Sequence, residues 1–338
     1  MTECTYSLMI SNPRVLLKRR IESKTLVTST ISSSVPSLPL SSPSSSLYRP
    51  KLDQIAIARL TIIGLLSIVY LNTSEINNII SVIWDQLRTN KWFMHDLFEP
   101  FIAVSSFFVW IHSFYFAEKN LPGMIQYRLS KNTTVSTTND NSLSPWYSNW
   151  LFRELPLYLG PLYFLSIHFD AFKFRRMALS QSAPSIFRIL REILGGLFLY
   201  DFFFFFTHFP LHNLGKTVYK HMHARHHSNK EVRAVDTIKL STVEEFIDVA
   251  CSIIGLRILN AHPISRTLYN IVITGLLAEL HCGYDLPLSP QNIVPFGLWA
   301  GSKRHHIHHR NGNVYFQKFF TYLDNGFGLV EKEKVLKY

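Results

Sequence analysis

Residues 202–212 read Phe202-Phe203-Phe204-Phe205-Phe206-Thr207-His208-Phe209-Pro210-Leu211-His212. An apolar aromatic run closes on two histidines four residues apart, which puts metal-ligand side chains where a membrane-spanning segment would leave the bilayer. On a helix, residues three and four apart share a face, so this HxxxH box can aim two ring nitrogens at one point. Pro210 lies inside the box and works against local helical hydrogen bonding. The i,i+4 geometry of His208 and His212 is nevertheless the expectation.

Downstream the pattern recurs. His223-Ala-Arg-His226-His227 and His305-His306-Ile307-His308-His309 are both HxxHH boxes, and His281 stands between them in Glu-Leu-His-Cys-Gly-Tyr-Asp. Twelve of the fifteen histidines fall between His208 and His309, a density that points to a site for more than one metal ion. Neutral imidazole is a good ligand for Fe, Zn, Cu or Ni. No residue within the second box breaks a helix, so His223, His226 and His227 are expected on one. The third box, His305, His308 and His309, is expected to be helical until Gly312 ends it.

Composition narrows the setting. The chain has 338 residues, is 47% hydrophobic with 26 Phe and 15 Tyr, and carries a formal charge of +11. Apolar bulk with a basic excess suits a protein held at an anionic membrane surface. No recognisable nucleic-acid motif accompanies the charge, so nucleic acid is not an expected partner. Cys4, Cys251 and Cys282 lie far apart in sequence without a CxxC pattern, which argues against a disulfide framework and against a thiolate metal site.

Residues 1–50 form a Ser/Pro/Thr-rich tail in which disorder is expected; its basic, acid-poor character also fits an organelle transit peptide. Four apolar stretches follow, at Ile55–Leu71, Leu97–Phe116, Leu155–Phe169 and Gly195–Thr207. A spanning helix needs roughly 20 residues, so the last two must extend into polar flanks; buried helices of a soluble protein fit the same lengths. Four spans with a cytosolic N-terminus put Lys216, Lys220, Arg225, Lys230, Arg233, Lys303, Arg304 and Arg310 on the cytosolic side with the boxes. The positive-inside bias prefers that arrangement, whereas Lys173, Arg175 and Arg176 fall on the opposite side. Phe246–Leu259 and Thr267–Leu280 read as further apolar helices, interfacial or re-entrant. The fold expected is all-α: a polytopic membrane protein of about four transmembrane helices capped by a helical cytosolic unit. Its parts are a membrane region over 51–190, a histidine-box domain over 191–330, and a short tail over 331–338.

An all-imidazole site keeps a high net positive charge on its metals, unlike the carboxylate-rich sites of soluble di-iron bundles. Each ligand needs a partner for its other ring nitrogen, and Asp201, Glu244, Glu245, Glu279, Asp285 and Asp324 are the acidic candidates. Beside a bilayer, such a site suggests O2 activation at an unreactive C–H bond of a lipid. A single hydrolytic zinc on three histidines would need far fewer of them.

The ordered set HxxxH, HxxHH, HxGYDxP, HxxHH resembles the membrane-bound fatty acid hydroxylase/sterol desaturase superfamily, which includes sterol C4-methyl oxidases and cholesterol 25-hydroxylases. The matching residues are Asp201, His208, His212, His223, His226, His227, His281-Cys282-Gly283-Tyr284-Asp285-Leu286-Pro287, His305, His308 and His309, followed by Tyr315, Phe319, Asp324, Phe327 and Gly328. The resemblance spans roughly 195–328. It implies that His208, His212, His223, His226, His227, His281, His305, His308 and His309 bind a di-iron centre on the cytosolic face of the endoplasmic reticulum membrane. It further implies O2 as oxidant, a sterol or long-chain lipid as substrate in lipid biosynthesis, and hydroxylation ahead of desaturation. Electrons would come from NAD(P)H through cytochrome b5 or a reductase.

The chain departs from the family where a His-Pro often follows the second box: here Ile238-Lys239-Leu240-Ser241-Thr242-Val243-Glu244 stands instead. Ser241 is a poor substitute for imidazole, and His262, in Ala-His-Pro, is the candidate to supply a nitrogen from elsewhere. This departure leaves open a non-catalytic metal- or lipid-binding relative that has lost a ligand, and a zinc hydrolase is the third reading. His221 and His306 occupy non-box positions, with supporting or exposed roles expected. Tyr284 and Asp285 either line the substrate cavity or shape a turn.

Overall fold

The computed structural model describes residues 50–130 and 182–331, with four isolated positions at 156, 160, 164 and 168. The expected N-terminal and C-terminal tails, most of the Leu155–Phe169 stretch, and Lys173, Arg175 and Arg176 lie outside the described residues. Among the described residues the chain is helical. Those residues form no strand beyond two isolated bridges, Arg128 with Tyr284 and Trp299 with Phe320.

Helix α1 (Leu52–Leu71) is apolar around its whole circumference and buries only Ala58. Ile57, Leu60, Ile63, Leu66 and Ile68 are all more than half exposed, a surface that water would not tolerate and hydrocarbon would. At 20 residues α1 is about 30 Å long, matching a bilayer core. Helix α2 (Thr73–Leu87) follows, then α3 (Phe98–Asn120) and a 3-10 turn at Pro122–Tyr127. By length and composition α1 and α3 are the two described helices able to cross a membrane. The expected span Gly195–Thr207 lies inside α4 (Ile186–Asn213), 28 residues long and capped by Ser185 Oγ, which accepts from Arg188 N at 3.2 Å.

Pro210 leaves α4 continuous to Asn213. It sits in the last turn, where the one lost backbone bond costs least, and Leu214 N still donates to Pro210 O at 2.8 Å. A short α5 (Lys216–Met222) leads into the second box. Helices α6 (Thr242–Ile258) and α7 (Pro263–Leu280) hold the two further apolar stretches. Next come α8 (Pro290–Ile293), α9 (Gly301–Asn311) and α10 (Tyr322–Phe327).

The bundle packs in the order α3, α7, α4, α6. Its core joins Phe107 and Ile111 of α3, Leu197 and Tyr200 of α4, Leu256 of α6, and Tyr269, Ile273 and Leu277 of α7. Glycines let the backbones close in. A Cβ at Gly196 would meet the Tyr269 ring at 2.9 Å, and one at Gly275 would meet the Trp110 indole at 2.8 Å. A buried ion pair, Arg266 Nε to Glu99 Oε1 at 2.9 Å, ties α7 to the first turn of α3.

The Trp110 indole is pinned, because its Nε1 donates to Ile271 O at 3.0 Å. It therefore cannot swing away from a new methyl group. We expect Gly275→Ala to destabilise the protein by about 1–3 kcal/mol through overpacking, read as a lowered unfolding midpoint in detergent. An unchanged midpoint would show that α3 does not seat on α7 this closely.

Candidate metal centre

The second box is not helical as a unit, contrary to the sequence expectation. Helix α5 stops at Met222, His223 takes φ −135°, and a 3-10 turn spans His226–Ser228. Tertiary contacts outweigh local propensity here: His223 Nδ1 pairs with the Glu244 carboxylate, and Arg225 Nη1 donates to Leu240 O at 2.6 Å. The break rotates His226 away from its neighbours. The third box is helical as expected, and Gly312 ends α9 at φ +67°.

The nine box histidines come together in two groups. His208, His212, His223, His227 and His308 form one, and His226, His281, His305 and His309 form the other. Within each group the nitrogens able to ligate all lie within 4.8 Å of one another. Two imidazoles on opposite sides of one ion, each at about 2.1 Å, would be about 4.2 Å apart, so each group has the dimensions of a single-ion site. The groups adjoin: the rings of His227 and His309 stack with centroids 4.4 Å apart. Each HxxHH box feeds both groups.

Hydrogen bonds on the outer nitrogens orient the rings. His208 Nδ1 donates to Phe316 O at 2.9 Å, His281 Nδ1 to Leu277 O at 2.9 Å, and His308 Nδ1 to Val314 O at 2.8 Å. His223 Nδ1 donates to Glu244, whose other oxygen accepts from Ser241 N at 3.0 Å. A carbonyl or carboxylate only accepts, so in the neutral ring each of these four bonds leaves a lone pair on Nε2. Those of His208 and His223 face each other at 3.2 Å. His308 Nε2 and His227 Nε2 are buried with no hydrogen-bond partner, and in the second group His305 Nε2 lies 2.9 Å from His281 Nε2 and 3.0 Å from His309 Nε2. Converging buried lone pairs repel unless a cation lies among them, and the donor set fits metal ions on that ground.

Of the acidic candidates, Glu244 bonds a box histidine, His223. Asp201 instead accepts from the backbone N–H groups of Lys318, Phe319 and Phe320 at 2.8–3.1 Å, and Asp324 from those of Phe316 and Gln317 at 2.9 and 3.0 Å. Together they hold the loop that offers Phe316 O to His208. Glu279 accepts from Ser289, and Asp285 from Gln291 and Asn292, bracing the loop after His281. Gly283 in that loop takes φ +79° and would push a Cβ to 2.7 Å from Val232 O, so only glycine fits. Tyr284 bridges to Arg128 and packs on Met124 and Leu286.

Ser241 is the N-cap of α6: its Oγ accepts from Glu244 N at 3.2 Å and donates to Met222 O at 2.7 Å. It thereby clamps Glu244 beside His223. His262 caps the opposite end of α7 from His281, accepting from Ile264 N at 3.2 Å, and supplies neither group. The 18-residue helix places those two histidines about 27 Å apart. His221 is exposed, and His306 is buried outside both groups. The carbonyls of Leu277, Val314 and Phe316 were not legible as partners, because backbone acceptors carry no residue signature.

Burial, with the charge neighbouring imidazoles would carry, pushes His208, His212, His226, His227, His305 and His309 below the ordinary value of 6.5. Burial holds His281 at about 4 and His308 at about 3. These rings are neutral bases at pH 7, the form that ligates metals. The unfolded chain binds the protons that the folded one refuses, so stability is lost as pH falls below 6.5. Metal-stripped protein should therefore show an unfolding midpoint that declines steadily from pH 7 to pH 4. A flat profile would contradict this burial.

The fatty acid hydroxylase family model matches residues 193–329. Human cholesterol 25-hydroxylase is 32% identical over 157 residues, 46% of this chain and 57% of that protein. Cholesterol 25-hydroxylase-like protein 2 of Danio rerio is 26% identical over 255 residues, covering 73% and 87%. Methylsterol monooxygenase 1 of Rattus norvegicus is 29% identical over 211 residues, covering 62% and 68%. No solved structure matches the chain. Residues 193–329, which contain all nine grouped histidines, are a domain of the fatty acid hydroxylase/sterol desaturase superfamily.

Proposed function

We propose that this chain is a membrane-bound, iron-dependent oxygenase that uses O2 to hydroxylate a lipid, a sterol or another long hydrophobic molecule. The observation that carries the reading is the convergence of nine imidazoles, eight of them buried and His227 half-buried, into adjoining groups of five and four. His208, His212, His223, His227 and His308 would hold one iron, and His226, His281, His305 and His309 the other. Bound there, iron supplies the O2 activation that no amino-acid side chain can provide. Hydroxylases and monooxygenases of sterols among the relatives support hydroxylation over desaturation.

The protein's own part is orientation and exclusion of water. Carbonyls of Leu277, Val314 and Phe316, with Glu244, fix which nitrogen each of four rings presents. Phe204, Leu211, Leu240 and Ile247 line a small cavity against His208, His223, His226 and His305. Its free volume, ≈ 10 Å³, suits a molecule the size of water or O2 and not a lipid. A second, apolar cavity of ≈ 600 Å³ opens at the end of α3, between Trp110, Phe114, Met124, Tyr127 and Leu286. That volume is in the range of small-molecule sites, and its Leu286 wall continues the loop from His281.

The two apolar helices support membrane insertion. We place the centre on the cytosolic side of the endoplasmic reticulum membrane, beneath four spans, with electrons from NAD(P)H by way of cytochrome b5 or a reductase. The basic residues around the boxes support that side. Ser241, the departure that motivated a lost-ligand reading, has a capping role that sustains Glu244.

The test is a mass-resolved lipid profile of host cells expressing the chain, with His226→Ala at matched level. A species heavier by one oxygen should appear with the wild type and fall at least about 100-fold in the variant. Identical profiles, with reductase partners and candidate lipids supplied, would overturn the oxygenase reading. Glu244→Gln should weaken metal binding by about 10–100-fold, measured as metal retained per chain against a competing chelator. Full retention would remove Glu244 from the support of His223.

A further inference from the structure

One cationic side chain shares the small cavity with histidines of both groups. Lys318 lines it beside His208, His223, His226 and His305. The residue is 5% exposed, and a lysine is almost never that buried unless paired. Its Nζ donates to Asp248 Oδ1 at 2.6 Å and to the Tyr200 hydroxyl at 2.6 Å, while Tyr200 donates to the same carboxylate oxygen at 2.5 Å. The ammonium sits 3.7 Å from the centroid of the Phe204 ring, and its backbone N–H is held by Asp201 at 2.8 Å. Position and direction are therefore both set.

A fixed cation is an odd neighbour for a group of metal-binding imidazoles. Its charge helps to push His281 and His305 down, and it would repel metal ions as well. Such a placement has a use if the cavity between them takes on negative charge during the reaction, as it does when O2 is reduced. Hydroxylation also consumes protons: RH + O2 + 2 electrons + 2 H+ gives ROH + H2O. The other polar groups on the cavity wall are committed, Thr207 Oγ1 to Phe204 O at 2.9 Å and Glu244 to His223 and Ser241. Lys318 has a third N–H beyond its two donated bonds. Asp248 is 13% exposed at its side chain, against 6% for Lys318, and gives the network an end toward the outside.

We propose that Lys318, held by Asp248 and Tyr200, is the proton donor to the oxygen atom that leaves as water. This rests on the oxygenase reading. The transfer occurs twice: each time an Nζ–H bond of Lys318 breaks and an O–H bond forms on that oxygen, and the second transfer completes the water. A proton arriving through Asp248 restores the ammonium. O2 is the oxidant, and an external one-electron carrier supplies the two electrons.

The experiment compares wild type, Lys318→Met, Lys318→Arg and Asp248→Asn, each loaded with iron. Metal per chain, unfolding midpoint, affinity for cyanide by absorption, and product formed per O2 consumed are read for all four. Cyanide is a diatomic anion that reports the charge of the cavity without turnover. Lys318→Met should keep its iron, bind cyanide about tenfold more weakly, and yield severalfold less product per O2. Lys318→Arg should retain cyanide affinity, because it keeps the charge, yet yield less product, because guanidinium does not release its proton. Asp248→Asn should keep cyanide affinity and iron, and should lower product per O2 with an enlarged solvent deuterium effect. Unchanged cyanide affinity and coupling in iron-loaded Lys318→Met would overturn the proposal. Loss of iron and fold in both Lys318 variants, with normal coupling in Asp248→Asn, would make the group a structural anchor and overturn it too. A wild type that holds no iron would instead remove the oxygenase reading on which the proposal stands.

Discussion

Each of four imidazoles presents its inner nitrogen because its outer N–H donates to a fixed acceptor. That constraint underlies the whole domain. Left free, an imidazole ring exchanges tautomers and rotates, and nine of them packed together would pair with one another. Fixing His208, His281 and His308 on backbone carbonyls, and His223 on Glu244, removes that freedom. The resulting buried lone pairs are unfavourable without a partner, so the fold holds in place an arrangement that a bound cation would relieve.

The acceptors must be rigid in their turn, and the buried carboxylates provide this. Asp201 and Asp324 gather five backbone N–H groups between Phe316 and Phe320. They convert an irregular segment into a shelf that presents Phe316 O to His208 and Lys318 to the small cavity. Ser241 does the same at shorter range: a helix cap that fixes Glu244 also ties the end of α5 to the start of α6. Charged groups that looked like direct histidine partners mostly act one bond further out.

The apolar half has a complementary role. Gly196 of α4 lets Tyr269 of α7 close in, which seats the helix that carries His208 against the helix that ends at His281. The outward face of α1 stays apolar, and the ≈ 600 Å³ cavity at the end of α3 lies beside the loop that follows His281. In the proposed oxygenase, a hydrophobic substrate and a metal centre would be served by neighbouring parts of one bundle.

Much of this was legible in the chain itself. The helical character, the apolar stretches and the nine histidines are written in local composition and spacing, because helix periodicity and ligand chemistry are properties of short segments. His208 and His212 share a face despite Pro210, since a proline in the final turn removes only one bond. The division of those histidines into five and four was decided by tertiary structure. Contacts from Leu240 and Glu244 break the second box out of a helix and send His226 to a different group from His223 and His227. The choice of backbone carbonyls as partners, the capping duty of Ser241, the remoteness of His262, and the arrival of Lys318 beside Tyr200 and Asp248 were likewise tertiary. Each depends on residues tens of positions apart meeting in space, and no spacing rule along a chain records that distance.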